Sequence, residues 1–195
     1  MSLNETYWSE RYKNNQTGWD IGYASPAIIN YFSSIKHKNV HILIPGGGNG
    51  YEAEALYKMG FENLYLLDIT DEPLLNFAGR NADFPKKQLL KEDFFMHSGQ
   101  YDYIIEQTFF CALKPDLRRQ YVEKMSELLK PDGILVGLLF NRVFDKNGPP
   151  FGGTQSDYLT LFEDHFKVLT ISESAESIPE RLRHELFIEL QPLEI

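Results

Sequence analysis

A short apolar run, Val40-His41-Ile42-Leu43-Ile44, stops at Pro45 and opens onto Gly46-Gly47-Gly48-Asn49-Gly50, and a helical pattern starts at Tyr51. Strand, glycine bend and helix in that order leave few folds open. Glycine lets a backbone turn tightly and lets a ligand approach without meeting a β-carbon. In an open α/β sheet such a bend lies at the carboxyl end of a strand, where ligands bind.

The same succession repeats along the chain. Tyr7, Trp8, Arg11 and Tyr12 recur at helical spacing, and Pro26 to Ile35 predicts a short helix behind Ser25. Tyr51 to Met59 predicts a helix closed by Gly60 in a left-handed cap. Leu64 to Asp68 predicts a second strand, Glu72 to Ala82 a helix, and Gln88-Leu89-Leu90 and Tyr101 to Glu106 two further strands. Asp116 to Leu129 carries Leu117, Tyr121, Met125, Leu128 and Leu129 on one helical face. Lys130-Pro131-Asp132-Gly133 has turn chemistry and feeds the apolar strand Ile134 to Phe140. Asn147 to Gly153 predicts a loop and Asp157 to His165 a helix, before two strands, Phe166 to Ile171 and His184 to Leu190, with no helical pattern between them.

Alternation of this kind means parallel pairing through right-handed crossovers, and a closing hairpin reverses the last strand. The expected fold class is therefore α/β, a seven-stranded, mostly parallel sheet with an antiparallel last strand and helices on both faces. Six strands are expected in βα alternation before the hairpin closes. Without repeats or a linker, residues 1–195 are read as a single domain, with a helical segment over 1–36 and an α/β core over 37–195.

Composition removes several functions. The 195 residues are 43% hydrophobic, enough for a core, and a domain of ~150 residues already buries roughly 70% of its unfolded surface. One cysteine, Cys111, excludes an intrachain disulfide and a cysteine-built zinc site. His37 and His41 fall in a loop and a strand, so no metal site is expected. The net charge of −9 argues against nucleic acid, whose phosphates want a basic face. Ile134 to Phe140 is far shorter than the ~20 apolar residues of a membrane span, and Met1-Ser2-Leu3-Asn4-Glu5 does not open a signal peptide. A soluble, cytoplasmic, single-domain protein with a small-molecule substrate is expected, its oligomeric state open and a monomer favoured.

Gly46, Gly48 and Gly50 form a G-x-G-x-G pattern, and the surrounding residues select its ligand. A dinucleotide fingerprint wants a further glycine where Tyr51 stands, and the chain has no Gly-Lys pair for a P-loop. Asp68, about twenty residues beyond the loop at a strand end, is placed to accept hydrogen bonds from a ribose diol. Asp93 and Phe94 offer a carboxylate for an exocyclic amine and an aromatic face for adenine. The plainer alternative for Trp8 and Trp19 is that they staple the N-terminal segment to the core. Phe109, Phe110 and Cys111 read as core or pocket wall.

Pro45 to Gly50, Asp68, Glu92-Asp93-Phe94-Phe95 and Leu129 to Gly133 together resemble the ordered motifs of class I S-adenosylmethionine-dependent methyltransferases. More narrowly, the chain resembles the thiopurine S-methyltransferase superfamily, and within it the halide/thiol methyltransferases. Trp8, Tyr12 and Trp19-Asp20-Ile21-Gly22 are similar to that family's N-terminal aromatic set. Phe109-Phe110-Cys111-Ala112-Leu113-Lys114-Pro115-Asp116-Leu117-Arg118, Gly148-Pro149-Pro150-Phe151 and Arg183-His184-Glu185 match three further family segments. Gly47 stands where the family usually has cysteine, Tyr12 where a second tryptophan is common, and Gln107 where relatives carry tyrosine or arginine.

The resemblance implies a Rossmann-like domain whose residues 1–36 form a lid over S-adenosylmethionine, which leaves as S-adenosylhomocysteine. The cofactor-contacting positions it implies are Trp8, Tyr12, Trp19, Gly46, Gly48, Gly50, Asp68, Asp93, Phe94 and Gln107. It implies methyl transfer to a thiol, thiopurine-like compound or halide, with Arg118 and Phe151 as candidates on the substrate side and no residue named as general base. Two other classes stay open at this point. One is a nicotinamide-dependent oxidoreductase of the short-chain type, against which the chain lacks any Tyr-x-x-x-Lys pair. The other is a non-catalytic module that only binds the cofactor.

Overall fold

A computed structural model of the chain describes residues 3–145 and 147–193. Met1 and Ser2, which open the N-terminal reading, lie outside the described residues. Two helices, α1 (Glu5–Lys13) and α2 (Pro26–Ser33), precede the first strand. Alternation then runs through β1 (Ile42–Pro45), α3 (Tyr51–Lys58), β2 (Leu64–Asp68), α4 (Asp71–Arg80) and β3 (Leu89–Lys91). It continues with β4 (Tyr101–Gln107), α5 (Arg118–Leu128), β5 (Leu129–Phe140), α6 (Gln155–Phe162), β6 (Phe166–Glu173) and β7 (Glu185–Pro192).

All seven strands join one sheet in the order β3-β2-β1-β4-β5-β7-β6. The first five pair in parallel, and β7 runs antiparallel to both β5 and β6, as the closing hairpin predicts. Strand order reverses between β1 and β4, so the carboxyl ends of those two strands diverge into a crevice.

The strands read as near-continuous apolar runs because both faces are covered. Successive side chains alternate between two cores. Leu43, Ile104 and Leu135 meet Tyr121 and Met125 of α5 and Phe162 of α6 on one face. Ile42, Ile44, Ile105 and Val136 meet Ile28 and Phe32 of α2, Leu56 of α3 and Phe77 of α4 on the other.

Several local expectations are corrected. Lys130-Pro131-Asp132-Gly133 does not separate α5 from β5; it lies inside β5 as a bulge. The register with β4 steps from Tyr101↔Leu129 to Tyr103↔Ile134, and the surplus residues are tied down where Lys130 Nζ binds both Asp102 oxygens at 2.9 Å. The helix expected from Asp116 starts at Arg118, because Pro115–Leu117 forms a 3₁₀ turn first. The helix expected from Asp157 starts at Gln155, because Thr154 and Asp157 close a capping box that makes Asp157 the third helical residue. Between β3 and β4 there is only a 3₁₀ turn, Phe94–Met96, so the strict strand–helix alternation breaks there.

Candidate functional site

The crevice at the end of β1 is built on the glycine bend. Gly46, Gly48 and Gly50 have φ of 56°, 54° and 69°, a region that costs residues with a β-carbon roughly 1–2 kcal/mol. Space forbids a side chain as firmly as conformation does. A β-carbon on Gly46 would lie 2.2 Å from the Phe109 ring, and one on Gly48 would lie 2.9 Å from the Tyr12 hydroxyl.

Asp68, at the end of β2, braces this bend. The Gly48 amide donates to its Oδ2 at 3.1 Å, and the Thr70 amide and hydroxyl donate to Oδ1 at 2.9 and 2.8 Å. Burial pushes the Asp68 carboxyl up from the usual range, against the pull of those three donors. Its charge and burial together push the Tyr12 hydroxyl up in turn, burial being the larger cause.

Trp8, Tyr12 and Trp19 pack together, with the Tyr12 hydroxyl against Gly48 and Trp19 lining the cleft at the bend. Trp19 meets Trp8 edge-on at 5.4 Å between centroids and Tyr12 at 5.6 Å. Polar latches fix this hood to the core. Asp20 accepts from the Asn49 amide group and from the Gly22 amide at 2.8 Å, and the Ser9 hydroxyl donates to Glu72 of α4 at 2.5 Å. The cleft left between the hood and the bend is about 50 Å³, lined by Trp19, Gly46 to Asn49, Glu52, Gln107 and Thr108 among others. Pockets for drug-sized ligands are ~300–1,000 Å³, so the cleft as it stands is smaller than a nucleoside-sized ligand.

The end of β4 forms the facing wall. Gln107 Oε1 is buried without a hydrogen-bond partner among the described residues, and the residue is among those lining the cleft. Thr108 holds φ at 59°, a genuine outlier for a β-branched residue. Glu106, fully buried, enforces that turn: the Phe109 and Phe110 amides donate to Oε1 at 2.8 and 2.9 Å, and the Tyr121 hydroxyl donates to Oε2 at 2.6 Å. Burial raises the Glu106 carboxyl to about 7.

Other predicted site residues sit further off or inward. Phe94 is buried, its ring against Phe109 at 5.1 Å and Tyr121 at 5.9 Å, and Asp93 caps the following turn by accepting from the Phe95 amide at 2.9 Å. Arg118 lies over the Phe110 ring and donates to the carbonyls of Gly152 (2.8 Å) and Phe151 (3.3 Å), so it holds the Gly148–Phe151 loop down. Phe151 lines a separate cavity of about 440 Å³ with Leu3, Lys114, Pro115 and Gly148. Cys111 is buried, and burial raises its thiol well above the ordinary range.

Sequence reasoning missed Glu106, Glu52 and Arg181. The signal for Glu106 is an acid inside an apolar strand pattern; nothing local marks the other two. No group of histidine, cysteine, aspartate and glutamate among the described residues is arranged to hold a metal, and no helix among them is long and apolar enough to cross a membrane.

The family model for thiopurine S-methyltransferase matches residues 3–189. Thiocyanate methyltransferase 1 of Brassica oleracea is 31% identical over 187 residues, covering 92% of this chain and 82% of that protein. A probable thiol methyltransferase 2 of Arabidopsis thaliana is 30% identical over 156 residues, covering 77% and 69%. Among solved structures, a Burkholderia thailandensis 1,6-didemethyltoxoflavin-N1-methyltransferase with bound S-adenosylhomocysteine superposes with a TM-score of 0.77. It is 16% identical, with 97% of this chain and 87% of that one covered, a likeness of fold.

Proposed function

The chain belongs to the thiopurine S-methyltransferase family of S-adenosylmethionine-dependent enzymes, and from that premise we propose that it methylates a small soft nucleophile: a thiol, a thiopurine-like compound or a halide. The observation that carries this reading is the meeting of three aromatic rings with a glycine bend braced by a buried acid. The acceptors present suit the cofactor. Asp68 is the acceptor for a ribose diol, Gln107 Oε1 is an acceptor without a partner, and the hood rings suit a sulfonium, at ~0.5–2 kcal/mol for each such contact.

The cofactor supplies an already activated methyl group. What remains for the chain is to bind, orient and exclude water, and orientation alone is worth roughly 7–11 kcal/mol in favourable cases. The segment that carries Trp8, Tyr12 and Trp19 acts as the lid, whereas Ile28 and Phe32 of the expected 1–36 lid belong to the core. Arg118 sets the Gly148–Phe151 loop, whose cavity shares no lining residue with the cleft at the bend. A halide needs no base, and a thiol of pKa ≈ 8.5 is partly ionised near neutrality. Buried Cys111 and Glu106 have structural partners and are assigned no part in proton transfer.

The test is methyl transfer from labelled cofactor to a panel of iodide, bisulfide, thiocyanate, simple thiols and thiopurines. A methylated product from at least one is expected; silence across the panel overturns the proposal. Asp68→Ala is expected to weaken S-adenosylhomocysteine binding by ~1.5–3 kcal/mol, the worth of a hydrogen bond to a charged group. Calorimetry showing unchanged affinity removes Asp68 from the site.

A further inference from the structure

The hood is anchored to the far end of the chain as well as to the bend it covers. Arg181, in the connection between β6 and β7, donates through Nη2 to the Trp19 carbonyl at 2.9 Å, across 162 positions of sequence. Its side chain is only 11% exposed, so solvent screens this bond little. The other arm of the guanidinium meets Glu185 Oε1 at 3.5 Å, and its carbon lies 5.5 Å from the Phe140 ring centroid. The backbone around it is also tied, Arg181 donating to the Ile178 carbonyl and His184 to the Arg181 carbonyl, each at 2.9 Å.

A second buried acid completes the anchor. Glu52 of α3 takes the Ser25 amide at 2.9 Å, and the Arg181 charge draws its carboxyl down against a larger upward push from burial. Trp19 and Ser25 are thus fixed at the two ends of one stretch, one by a buried cation and the other by a buried acid. Burying an arginine beside an acid is a poor way to gain stability, since apolar side chains of similar volume often do as well or better. What the fork supplies here is a defined position for one carbonyl, and with it one indole.

We propose that Arg181 is the positioning residue of the hood: by holding the Trp19 carbonyl it sets the indole against Trp8 and Tyr12 over the glycine bend, and cofactor retention depends on it. This rests on the functional reading above for the identity of the ligand, but the clamp itself has a readout without any ligand. The chain has two tryptophans, both in the hood, so in a Trp8→Phe background Trp19 is the sole indole emitter.

In that background, Arg181→Met is expected to shift Trp19 emission to the red in ligand-free protein; made in the otherwise wild-type chain, it is expected to raise the S-adenosylhomocysteine dissociation constant about tenfold or more. Arg181→Lys, with one point donor in place of the fork, is expected to fall between Arg181→Met and the parent on both measures. Circular dichroism checks folding, and should Arg181→Met not fold, Arg181→Lys carries the test alone. Parent-like emission and affinity in a folded variant overturn the proposal. So does a change confined to the Michaelis constant of the methyl acceptor. Wild-type protein that fails to bind S-adenosylhomocysteine counts against the functional reading and against a role in cofactor retention, while the emission comparison still decides whether Arg181 holds Trp19.

Discussion

Replacing Gly46 by alanine is expected to abolish S-adenosylhomocysteine binding and to lower the melting temperature by ~6–12 °C, the equivalent of about 3 kcal/mol in a domain of this size. Two costs add. Alanine at a φ of 56° loses roughly 1–2 kcal/mol, and its β-carbon would press into the Phe109 ring, an overpacking worth ~1–3 kcal/mol. The ring has little freedom to yield, because the Phe109 amide is held by Glu106 and the ring meets Phe94 in a T-shaped contact. Gly60 is the control. Its φ is 90°, but an added β-carbon meets nothing within 4 Å, so Gly60→Ala should show the conformational cost alone and leave ligand binding intact. Equal losses in the two variants, or a Gly46→Ala protein that still binds, would show that close approach at the bend is not what the site requires.

The bend is legible in the amino-acid order alone because its physics is local. A glycine run after an apolar strand needs no distant partner to be read, and the same holds for the strands and helices whose apolar periods alternate. The errors fall where a distant contact decides the outcome. Pro131 and Gly133 carry turn chemistry in a segment that nonetheless stays within β5, because β4 pairs on either side of it and Asp102 holds Lys130. At Thr154 the sequence does contain the answer: the capping pair with Asp157 sets the helix start ahead of the acid.

The site divides the same way. Trp8, Tyr12 and Trp19 are found through resemblance to other chains, and the fold brings their rings together. Arg181 and Glu52 escape such a reading, since their partners are backbone groups of Trp19 and Ser25, and a carbonyl or amide leaves no mark in side-chain spelling. Phe94 shows the converse. Its motif suggests a face for adenine, while the fold turns the ring into the core beside Tyr121, where α5 supplies the neighbour that local sequence cannot.

Glu106→Gln is expected to remove about 3 kcal/mol of pH dependence from stability, read as the difference between variant and wild type in urea unfolding at pH 4.5 and pH 8. The ordinary glutamate value is 4.5, and burial raises it to about 7 in the folded chain. A group raised in this way holds its proton more tightly when folded. Its stabilising contribution is complete below about pH 4.5, declines as pH rises, and is gone above about pH 7. Glutamine keeps an oxygen for the Phe109 and Phe110 amides, turns its amino group toward the Tyr121 oxygen, and has no charge to bury. The variant should therefore gain on the wild type as pH climbs from 4.5 to 8; parallel curves would mean that the three donors, not burial, set the ionisation of Glu106. Glu106→Leu separates charge from hydrogen bonding, because it strands two amides and a hydroxyl at ~1–3 kcal/mol each and should destabilise at every pH. An acid persists inside this strand because its carboxylate gathers three donors at the point where β4 ends, and so fixes Phe109 where the glycine bend needs a wall.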